Sequence, residues 1–348
     1  MTRGPGVTAM FATCVPGLGP LVRRQLDELP GVSTTGAGFD GRADIVLFVA
    51  ERDQRGATLE LRTAEDVFVE VSRALRSDGD SPRPIAGRIW QPQRVQRALS
   101  IWAEEVRPLT ASMTFRVIAR VLTEKAFLRT DLRQQLDQAV RADRPRWRFA
   151  DPARLEVWVS EYAAGRFVAG LRLSDAEMRQ HGGRDTERRG ALRPTVAAAM
   201  VQLAGPAGGT LLDPCCGAGT ILAEARAAGW AAHGSDIDPG AVEIARRNVP
   251  GAQLRAGDAR RLALPDGAAG ACVSNLPFGR QYEVQGHSDG WLSAVLGEMA
   301  RVTRPGGFVV LLAPAIARNA APDSLRLRQR IPIRLLGTRT TIWAYHRG

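Results

Sequence analysis

The stretch that decides the fold is LLDPCCGAGT, which runs from Leu211 to Thr220. A short apolar run ends at Asp213, and Gly217 and Gly219 follow before the helix-forming sequence TILAEARAAG. Glycines allow a tight turn and let a ligand approach the backbone closely. A tight turn alone would give the same pattern, and the loop lacks GxGxxG, which disfavours a dinucleotide-dependent dehydrogenase. We therefore expect a strand, a ligand-binding loop and a helix.

The residues that follow alternate between strand and helix patterns. AAHGSDI, GACVSNL and GGFVVLLAP have the length of strands, and PGAVEIARRNV has the pattern of a helix with Asp238 as its N-cap. Such alternation predicts a parallel sheet covered by helices. The final segment, IPIRLLGTRTTIWAYH, predicts two antiparallel strands joined at a glycine. The fold class is α/β, a doubly wound Rossmann-like domain with a C-terminal antiparallel hairpin.

Three acidic residues come at the predicted carboxyl ends of consecutive strands. Asp236 follows Asp213 by 23 residues, and Asp258 ends the third strand. An acid about 20 residues after a glycine loop is placed to bind ribose hydroxyls in nucleoside-binding α/β folds. Asp258 is suited to accept from an adenine amine, and Ile237 to lie against the adenine face. Each acid alone is more often a cap or turn residue, but together they predict a nucleoside pocket.

The first half has a different pattern, typical of α+β structure. TAMFATC and TFRVIARVL have the character of strands, and FLRTDLRQQLDQAV places apolar residues four apart, as in a helix. RLEVWVSEYAAGRFVAGLRLS predicts two strands around an Ala-Ala-Gly turn. Residues 176–190 are polar and contain glycine, so we interpret them as a linker.

Composition limits the classes of protein. The chain has 348 residues, is 45% hydrophobic and has no apolar run of membrane-spanning length, so we expect a cytoplasmic protein that contacts no membrane. The four cysteines and four histidines do not have the spacing of metal ligands, so we expect no bound metal. We also expect the protein to be a monomer. The net charge of +11 would attract a phosphate polymer such as a nucleic acid, but the excess of arginine over lysine is also typical of a high-GC coding bias, so charge alone leaves both interpretations open.

The segments DPCCGAGT, GSDID, AGDARRL and SNLPFG resemble, in order and spacing, the motifs of class I S-adenosylmethionine-dependent methyltransferases. The resemblance implies S-adenosyl-L-methionine as cofactor. ALRPTVAAAM resembles the helix that precedes the first strand in that family. The residues implied to bind the cofactor are Arg193, Pro194, Thr195, Asp213, Gly217, Gly219, Thr220, Asp236, Ile237, Asp258 and Ala259.

SNLPFG also resembles the motif that amine methyltransferases use at the target nitrogen. An exocyclic amine is a poor nucleophile, and two acceptors can draw its hydrogens and align it: Asn275 Oδ1 and the Leu276 carbonyl. Pro277 biases Leu276 toward extended geometry, and Phe278 offers a face on which a base can stack. These four residues are our predicted catalytic residues. A simple strand-ending turn is the alternative.

With both halves included, the chain resembles THUMP domain-containing tRNA guanine-N2 methyltransferases. The implied domains are a ferredoxin-like domain at residues 1–75, a THUMP RNA-binding domain at 76–175, the linker at 176–190 and the methyltransferase domain at 191–348. Trp147 is suited either to stack on a terminal base or, as we favour, to pack in the core. The predicted RNA-binding residues are Arg129, Arg133, Arg146, Arg148, Arg184, Arg188 and Arg189.

The implied activity is methylation of the N2 amine of a tRNA guanosine, and we favour position 6 in the acceptor stem. Guanosine 10 of tRNA, an rRNA guanine N2 and a nucleic-acid adenine N6 are alternative targets. A THUMP protein that binds RNA without catalysis is the non-enzymatic alternative, and the presence of every predicted motif residue argues against it.

Overall fold

The computed structural model describes residues 6–76, 81–122, 127–175, 177–181, 192–277, 289–335 and 337–348. The chain divides into two compact units, Met1–Arg179 and Gln180–Gly348. Within the described residues, no helix combines the length and the apolar character needed to cross a membrane.

The first unit is built on one eight-stranded mixed sheet, in the order β2-β3-β1-β4-β8-β7-β5-β6. Two short 3-10 turns, at Arg52–Gln54 and Gly56–Glu60, lie between β3 and β4. The predicted boundary at 75/76 falls at the end of β4, and the sheet continues across it because β4 pairs with β8. The strands are β1 (Val7–Cys14), β2 (Val32–Phe39), β3 (Asp44–Glu51), β4 (Asp66–Leu75), β5 (Thr114–Arg120), β6 (Arg148–Phe149), β7 (Leu155–Ala163) and β8 (Arg166–Arg172).

The helices of this unit follow from periodic apolar residues. The helix predicted from FLRTDLRQQLDQAV forms, and it buries Leu132, Leu136 and Val140. Trp147 is 6% exposed and packs against Phe115 with ring centroids 6.2 Å apart, so the core-packing alternative is confirmed. The helices are α1 (Gly19–Asp27), α2 (Pro82–Ile89), α3 (Pro92–Glu105), α4 (Arg129–Asp143) and a short α5 (Glu177–Gln180) that falls within the predicted linker.

The second unit has the predicted Rossmann-like α/β fold. Its seven-stranded sheet has the order β11-β10-β9-β12-β13-β15-β14, in which the first five strands are parallel. The last two strands form the predicted antiparallel hairpin. The strands are β9 (Thr210–Asp213), β10 (Ala231–Asp236), β11 (Gln253–Ala256), β12 (Ala269–Asn275), β13 (Thr303–Ala313), β14 (Leu325–Leu335) and β15 (Thr338–Arg347).

The strand order places a switch point between β9 and β12. The chain runs outward from β9 through β10 to β11, and then returns to the other side of β9 with β12. In open α/β sheets, ligands bind in the crevice at the carboxyl ends of the strands at such a switch point. The helices of this unit are α6 (Pro194–Leu203), which precedes β9, and the connecting helices α7 (Thr220–Ala227), α8 (Pro239–Asn248) and α9 (Asp289–Val302).

Candidate functional site

The glycine loop between β9 and α7 forms one wall of the crevice. Gly217 and Gly219 both have positive φ, +50° and +86°, which glycine adopts without strain. A Cβ on Gly219 would lie 2.8 Å from Val249 Cγ2, so the loop packs closely there. A Cβ on Gly217 would meet no atom within 4 Å among the described residues, so this side of the loop is open to a ligand.

Asp236 at the end of β10 holds the glycine loop in place. Its Oδ2 accepts from the Gly217 amide at 2.9 Å and its Oδ1 accepts from the Asp238 amide at 3.0 Å. The carboxylate is half-buried, and each oxygen keeps capacity for a further donor. The neighbouring Ile237 is 73% exposed, which is unusual for a large apolar side chain. An exposed aliphatic surface beside a carboxylate suits a nucleoside.

Asp213 lies beneath the loop and is 1% exposed. One oxygen, Oδ1, accepts from Ser274 Oγ at 2.7 Å and from the Cys215 amide at 3.1 Å. Burial raises the pKa of this carboxyl to about 7, although the two hydrogen bonds lower it in part. Ser274 precedes Asn275 directly, so this hydrogen bond joins the residues before the glycine loop to the strand that carries the predicted catalytic motif. Our sequence interpretation assigned no role to Ser274.

Asp258 follows β11, and Arg260 covers its carboxylate. Arg260 donates from Nε and Nη2 to both carboxylate oxygens, at 2.6 to 3.1 Å. These hydrogen bonds hold the pKa of Asp258 below its usual range. The Gly257 amide donates to the Asp236 carbonyl at 3.0 Å, which keeps the β11 loop beside β10. Ala259 is buried. To accept from an adenine amine as predicted, the Asp258 carboxylate would have to bind the amine together with Arg260 or release Arg260.

Three predicted cofactor residues open α6, which packs against α7. Arg193 is the exposed N-cap, Pro194 occupies the first turn, and Thr195 is 1% exposed. Thr220, at the start of α7, is also buried. These buried hydroxyls lie within the packing of the unit, whereas Arg193 presents its side chain to solvent.

Asn275 ends β12 at the switch point, next to β9. Its side chain is half-buried and forms no hydrogen bond within the described part of the chain, so Oδ1 can accept from a substrate amine. Leu276 is 1% exposed and belongs to the core cluster that contains Leu212 and Val295. Its apolar side chain therefore anchors the motif. Pro277 is half-buried, and Phe278 lies outside the described residues.

The three cysteines of this unit, of which Cys215 is half-buried and the other two are buried, have neutral thiols. Burial raises the pKa of the thiols of Cys215, Cys216 and Cys272. Neutral, buried thiols are neither good nucleophiles nor good metal ligands. Over the described ranges, no three His, Cys, Asp or Glu side chains come close enough together to hold a metal ion.

The first unit contains an arginine-lined cleft of about 750 Å³. Two of the predicted RNA-binding residues, Arg129 and Arg133, line it. Arg116 and Arg120 also line it, but they form ion pairs with Glu156 and Asp40. The sequence interpretation missed two further lining residues, Arg42 and Phe149.

Phe149 is 52% exposed in this cleft, and an exposed ring among arginines suits a stacked base. In the sequence, the feature that could have indicated a base-stacking role for Phe149 is its position next to Arg148 and two residues after Trp147. Arg146 and Arg148 are exposed but do not line the cleft. The predicted contacts Arg184, Arg188 and Arg189 lie outside the described residues.

Comparison with known proteins identifies the second unit. Residues 181–329 match the model of the UPF0020 family, described as an RMKL-like methyltransferase domain. The matched range contains the glycine loop, the three aspartates and the Asn-Leu-Pro segment, so the candidate site lies in the part of the chain that is similar to a methyltransferase domain.

Curated relatives match part of the chain. The U6 snRNA (guanine-N(2))-methyltransferase THUMPD2 of Bos taurus is 37% identical over 132 residues, which are 35% of this chain and 25% of that protein. The tRNA (guanine(10)-N2)-dimethyltransferase of Methanothermobacter thermautotrophicus is 31% identical over 42% of this chain and 46% of its own length. The malonyl-[acyl-carrier protein] O-methyltransferase of Serratia marcescens is 37% identical over 30% of this chain and 37% of its own length. The chain thus spans a quarter to a half of these relatives.

A solved structure matches over almost the full length. The crystal structure of TrmN from Thermus thermophilus has a TM-score of 0.74 and 24% identity, and the match covers 98% of this chain and 100% of that chain. At this identity the similarity shows a shared fold.

Proposed function

We propose, from the premise that residues 181–329 are a methyltransferase domain of the RMKL-like family, that this protein methylates the N2 amine of a guanosine in tRNA. The methyl donor is S-adenosyl-L-methionine. The observation that carries the proposal is the position of Asn275 and Leu276 at the switch point, beside the open glycine loop. Two relatives named as guanine-N2 methyltransferases of RNA support the choice of nitrogen.

The described residues fit the cofactor. Asp236 retains acceptor capacity for ribose hydroxyls, Ile237 offers an exposed aliphatic surface to the adenine, and Gly217 leaves open space at the loop. When bound, S-adenosylmethionine supplies an electrophilic methyl group on a sulfonium. Asp213, held beneath the loop by Ser274 and Cys215, places negative potential under the cationic end of the ligand once it is ionised.

Asn275 and Leu276 orient the substrate amine. Asn275 Oδ1 accepts one N–H, and the Leu276 carbonyl accepts the other. Burial of the Leu276 side chain among core residues fixes the direction of its backbone. No side chain needs to act as a strong base, because the amine proton is lost after the nitrogen has become cationic. Phe278, two residues after Leu276, is the proposed surface on which the target base stacks.

The first unit binds the RNA in this proposal. Its two halves act as a ferredoxin-like domain and a THUMP domain, and the cleft lined by Arg129, Arg133 and Phe149 receives single-stranded RNA. Arginines contact phosphates and an exposed ring stacks on a base. Arg146, Arg148 and the linker arginines Arg184, Arg188 and Arg189 supply further phosphate contacts. Holding the RNA on the first unit while the second unit carries out the chemistry would restrict which guanosine is methylated.

The proposed target is guanosine 6 in the acceptor stem. A specific observation favours a second candidate, guanosine 10, because the archaeal relative is named as a methyltransferase of guanine 10. The guanine amine is paired within a stem, so the base must leave the stack, at a cost of about a few kcal/mol.

The test is methyl transfer from labelled S-adenosylmethionine by the full chain into unmodified tRNA, followed by nucleoside analysis and mapping of the labelled position. We expect label in N2-methylguanosine at position 6. Label at position 10 would replace the first target with the second. Label in N6-methyladenosine would overturn the guanine assignment. Cofactor binding without transfer to tRNA or to rRNA would overturn the enzymatic proposal and favour an RNA-binding protein without catalysis.

A further inference from the structure

The C-terminal hairpin carries a concentrated positive charge. Residues 324–348 contain six arginines and no aspartate or glutamate, so this segment has a formal charge of +6, whereas the whole chain has a net charge of +11. Five of the six are exposed on β14 or β15, and no carboxylate lies within 4.0 Å of their guanidinium groups in the described ranges. These five are Arg326, Arg328, Arg330, Arg334 and Arg339.

Two of these arginines form a like-charge pair at the tip of the hairpin. Arg334 on β14 lies directly opposite Arg339 on β15. Like charges in such a cross-strand pair destabilise a sheet. Thr341, two residues after Arg339 and half-buried, adds a hydroxyl on the same face of the hairpin. A bound anion would remove the repulsion between the arginines.

Arg330, further along β14, is engaged differently. Its guanidinium lies 5.5 Å from the centre of the Trp343 ring, and Trp343 is 8% exposed and belongs to the core. Arg330 therefore covers the edge of the core. The pair at the tip has no such ring contact within the described residues, so stabilisation of the fold does not account for it.

The strand register places this pair at the same edge of the sheet as Asn275. Asn275 pairs with Leu312, Leu312 with Ile342, and Ile342 with Ile331. Arg334 lies three residues after Ile331 on β14, and Arg339 lies three residues before Ile342 on β15. Both therefore lie beyond this row, toward the carboxyl ends of β12 and β13. With strand spacings of about 4.8 Å and a rise of about 3.3 Å per residue, the Arg339 backbone is on the order of 14 Å from Asn275.

We propose that Arg334 and Arg339 form a binding site for a backbone phosphate of the RNA, close to the nucleotide that is methylated. The inference rests on the proposed function, and it adds an RNA contact within the catalytic unit. Two adjacent guanidinium groups can bind one phosphate through several charge-assisted hydrogen bonds. The extended arginine side chain and the span of a nucleotide together cover the distance from Asn275. The site holds the strand while the guanine is displaced from its stack.

The test compares Arg334→Gln/Arg339→Gln with a matched control, Arg326→Gln/Arg328→Gln. Both double variants remove two exposed arginines from the hairpin, but the control residues lie on the other side of the Asn275 row, toward the amino ends of β12 and β13. We expect KM for tRNA to rise roughly tenfold in the tip variant, because charge-assisted hydrogen bonds to phosphate are lost. We expect kcat and the Kd for S-adenosylhomocysteine to change less than about twofold, since neither arginine enters the chemistry. In the control variant, KM should change less than about twofold.

The salt dependence of tRNA binding separates a phosphate contact from a structural effect. The slope of log K against log salt should be shallower by about 1 to 2 in the tip variant. Its melting temperature should equal or exceed that of the wild type, because the like-charge pair is gone. Arg334→Lys/Arg339→Lys should restore part of the affinity.

If the wild-type enzyme methylates tRNA while the tip variant keeps the wild-type KM and salt slope, the phosphate site is wrong and the proposed function stands. An equal loss in tip and control variants would mean that only general charge matters, and it would also overturn the site. Failure of the wild type to methylate RNA would refute the proposed function itself. In that case the inference, which rests on it, falls too.

Discussion

The buried carboxylates of the first unit and two aspartates beside the glycine loop of the second unit have different partners. In the first unit, each of the most buried acidic side chains faces an arginine. The pairs are Asp40 with Arg120, Asp66 with Arg172 and Arg179, Glu156 with Arg116 and Arg172, and Glu161 with Arg76. In the second unit, Asp213 and Asp236 accept only from amides and a hydroxyl among the described residues.

We propose that this difference separates acids with a structural role from acids that bind a ligand. A buried carboxylate that is paired with arginine has its charge compensated within the protein and stabilises the position of two strands or loops. A carboxylate held only by neutral donors has no cation of the protein to compensate its charge, so burial makes its ionised form costly. Such a cost is common at functional sites, where a ligand supplies the missing partner.

The largest effect is expected at the catalytic motif of the second unit. Asn275→Ala should lower kcat for methyl transfer by roughly 10³-fold, because it removes an acceptor that aligns the amine. The Kd for tRNA should stay within about twofold of the wild type, since the proposed phosphate contacts remain. The measurement is single-turnover transfer of labelled methyl groups together with a filter-binding titration. Full activity in this variant would refute the role assigned to Asn275.

Asp213→Asn tests the uncompensated charge through its pH dependence. The pKa of about 7 in the folded state lies above the usual value of about 3.9, so between these values the native state binds the extra proton. Wild-type stability therefore falls as pH rises from about 4 to 7, by up to about 4 kcal/mol from this group.

The asparagine variant lacks this titration, so its free energy of unfolding should rise relative to the wild type over the same window and level off above it. Urea unfolding at pH 4.5, 6 and 8 measures the difference. A difference that is constant with pH would show that the carboxyl of Asp213 titrates normally.

Glu161→Gln tests the opposite arrangement in the first unit. Glu161 is fully buried and accepts from Arg76, from the Gly165 amide and from the Leu122 amide, each at 2.8 to 2.9 Å. Removing its charge leaves Arg76 without its buried carboxylate partner, so we expect a loss of about 3 kcal/mol in the free energy of unfolding.

The matched control is Glu243→Gln, whose ion pair with Arg246 is more than half exposed on both sides. It should cost less than about 1 kcal/mol. Equal losses in the two variants, measured by urea unfolding at pH 7, would contradict the distinction between buried and exposed pairs.

Local signals were enough to predict the architecture of the second unit. The alternation of apolar runs with helical stripes gave the order of strands and helices, and the Gly-Thr turn gave the terminal hairpin. The N-cap at Asp238 is confirmed, because its side chain accepts from the Gly240 amide at 2.8 Å. These features depend on residues a few positions apart, so a single sequence contains them.

Contacts between distant segments were not predictable in the same way. Ser274 and Asp213 are 61 residues apart, and only the pairing of β9 with β12 brings them to 2.7 Å. The apolar residue at Leu276 was explained by its carbonyl alone, whereas its side chain is packed in the core. The arginine partners of Asp40 and Glu161 likewise lie 80 and 85 residues away, so exposed and ion-paired arginines looked alike in the sequence.

The most direct test of the comparison is calorimetric binding of S-adenosylhomocysteine to Asp236→Asn and to Glu161→Gln. The account predicts that Asp236→Asn weakens binding by about 10- to 100-fold, the range expected for hydrogen bonds to a charged acceptor. It predicts that Glu161→Gln binds with the wild-type Kd although it is less stable. Wild-type affinity in Asp236→Asn would contradict the assignment of Asp236 to the cofactor. It would also contradict the claim that the uncompensated acids of the second unit serve a ligand.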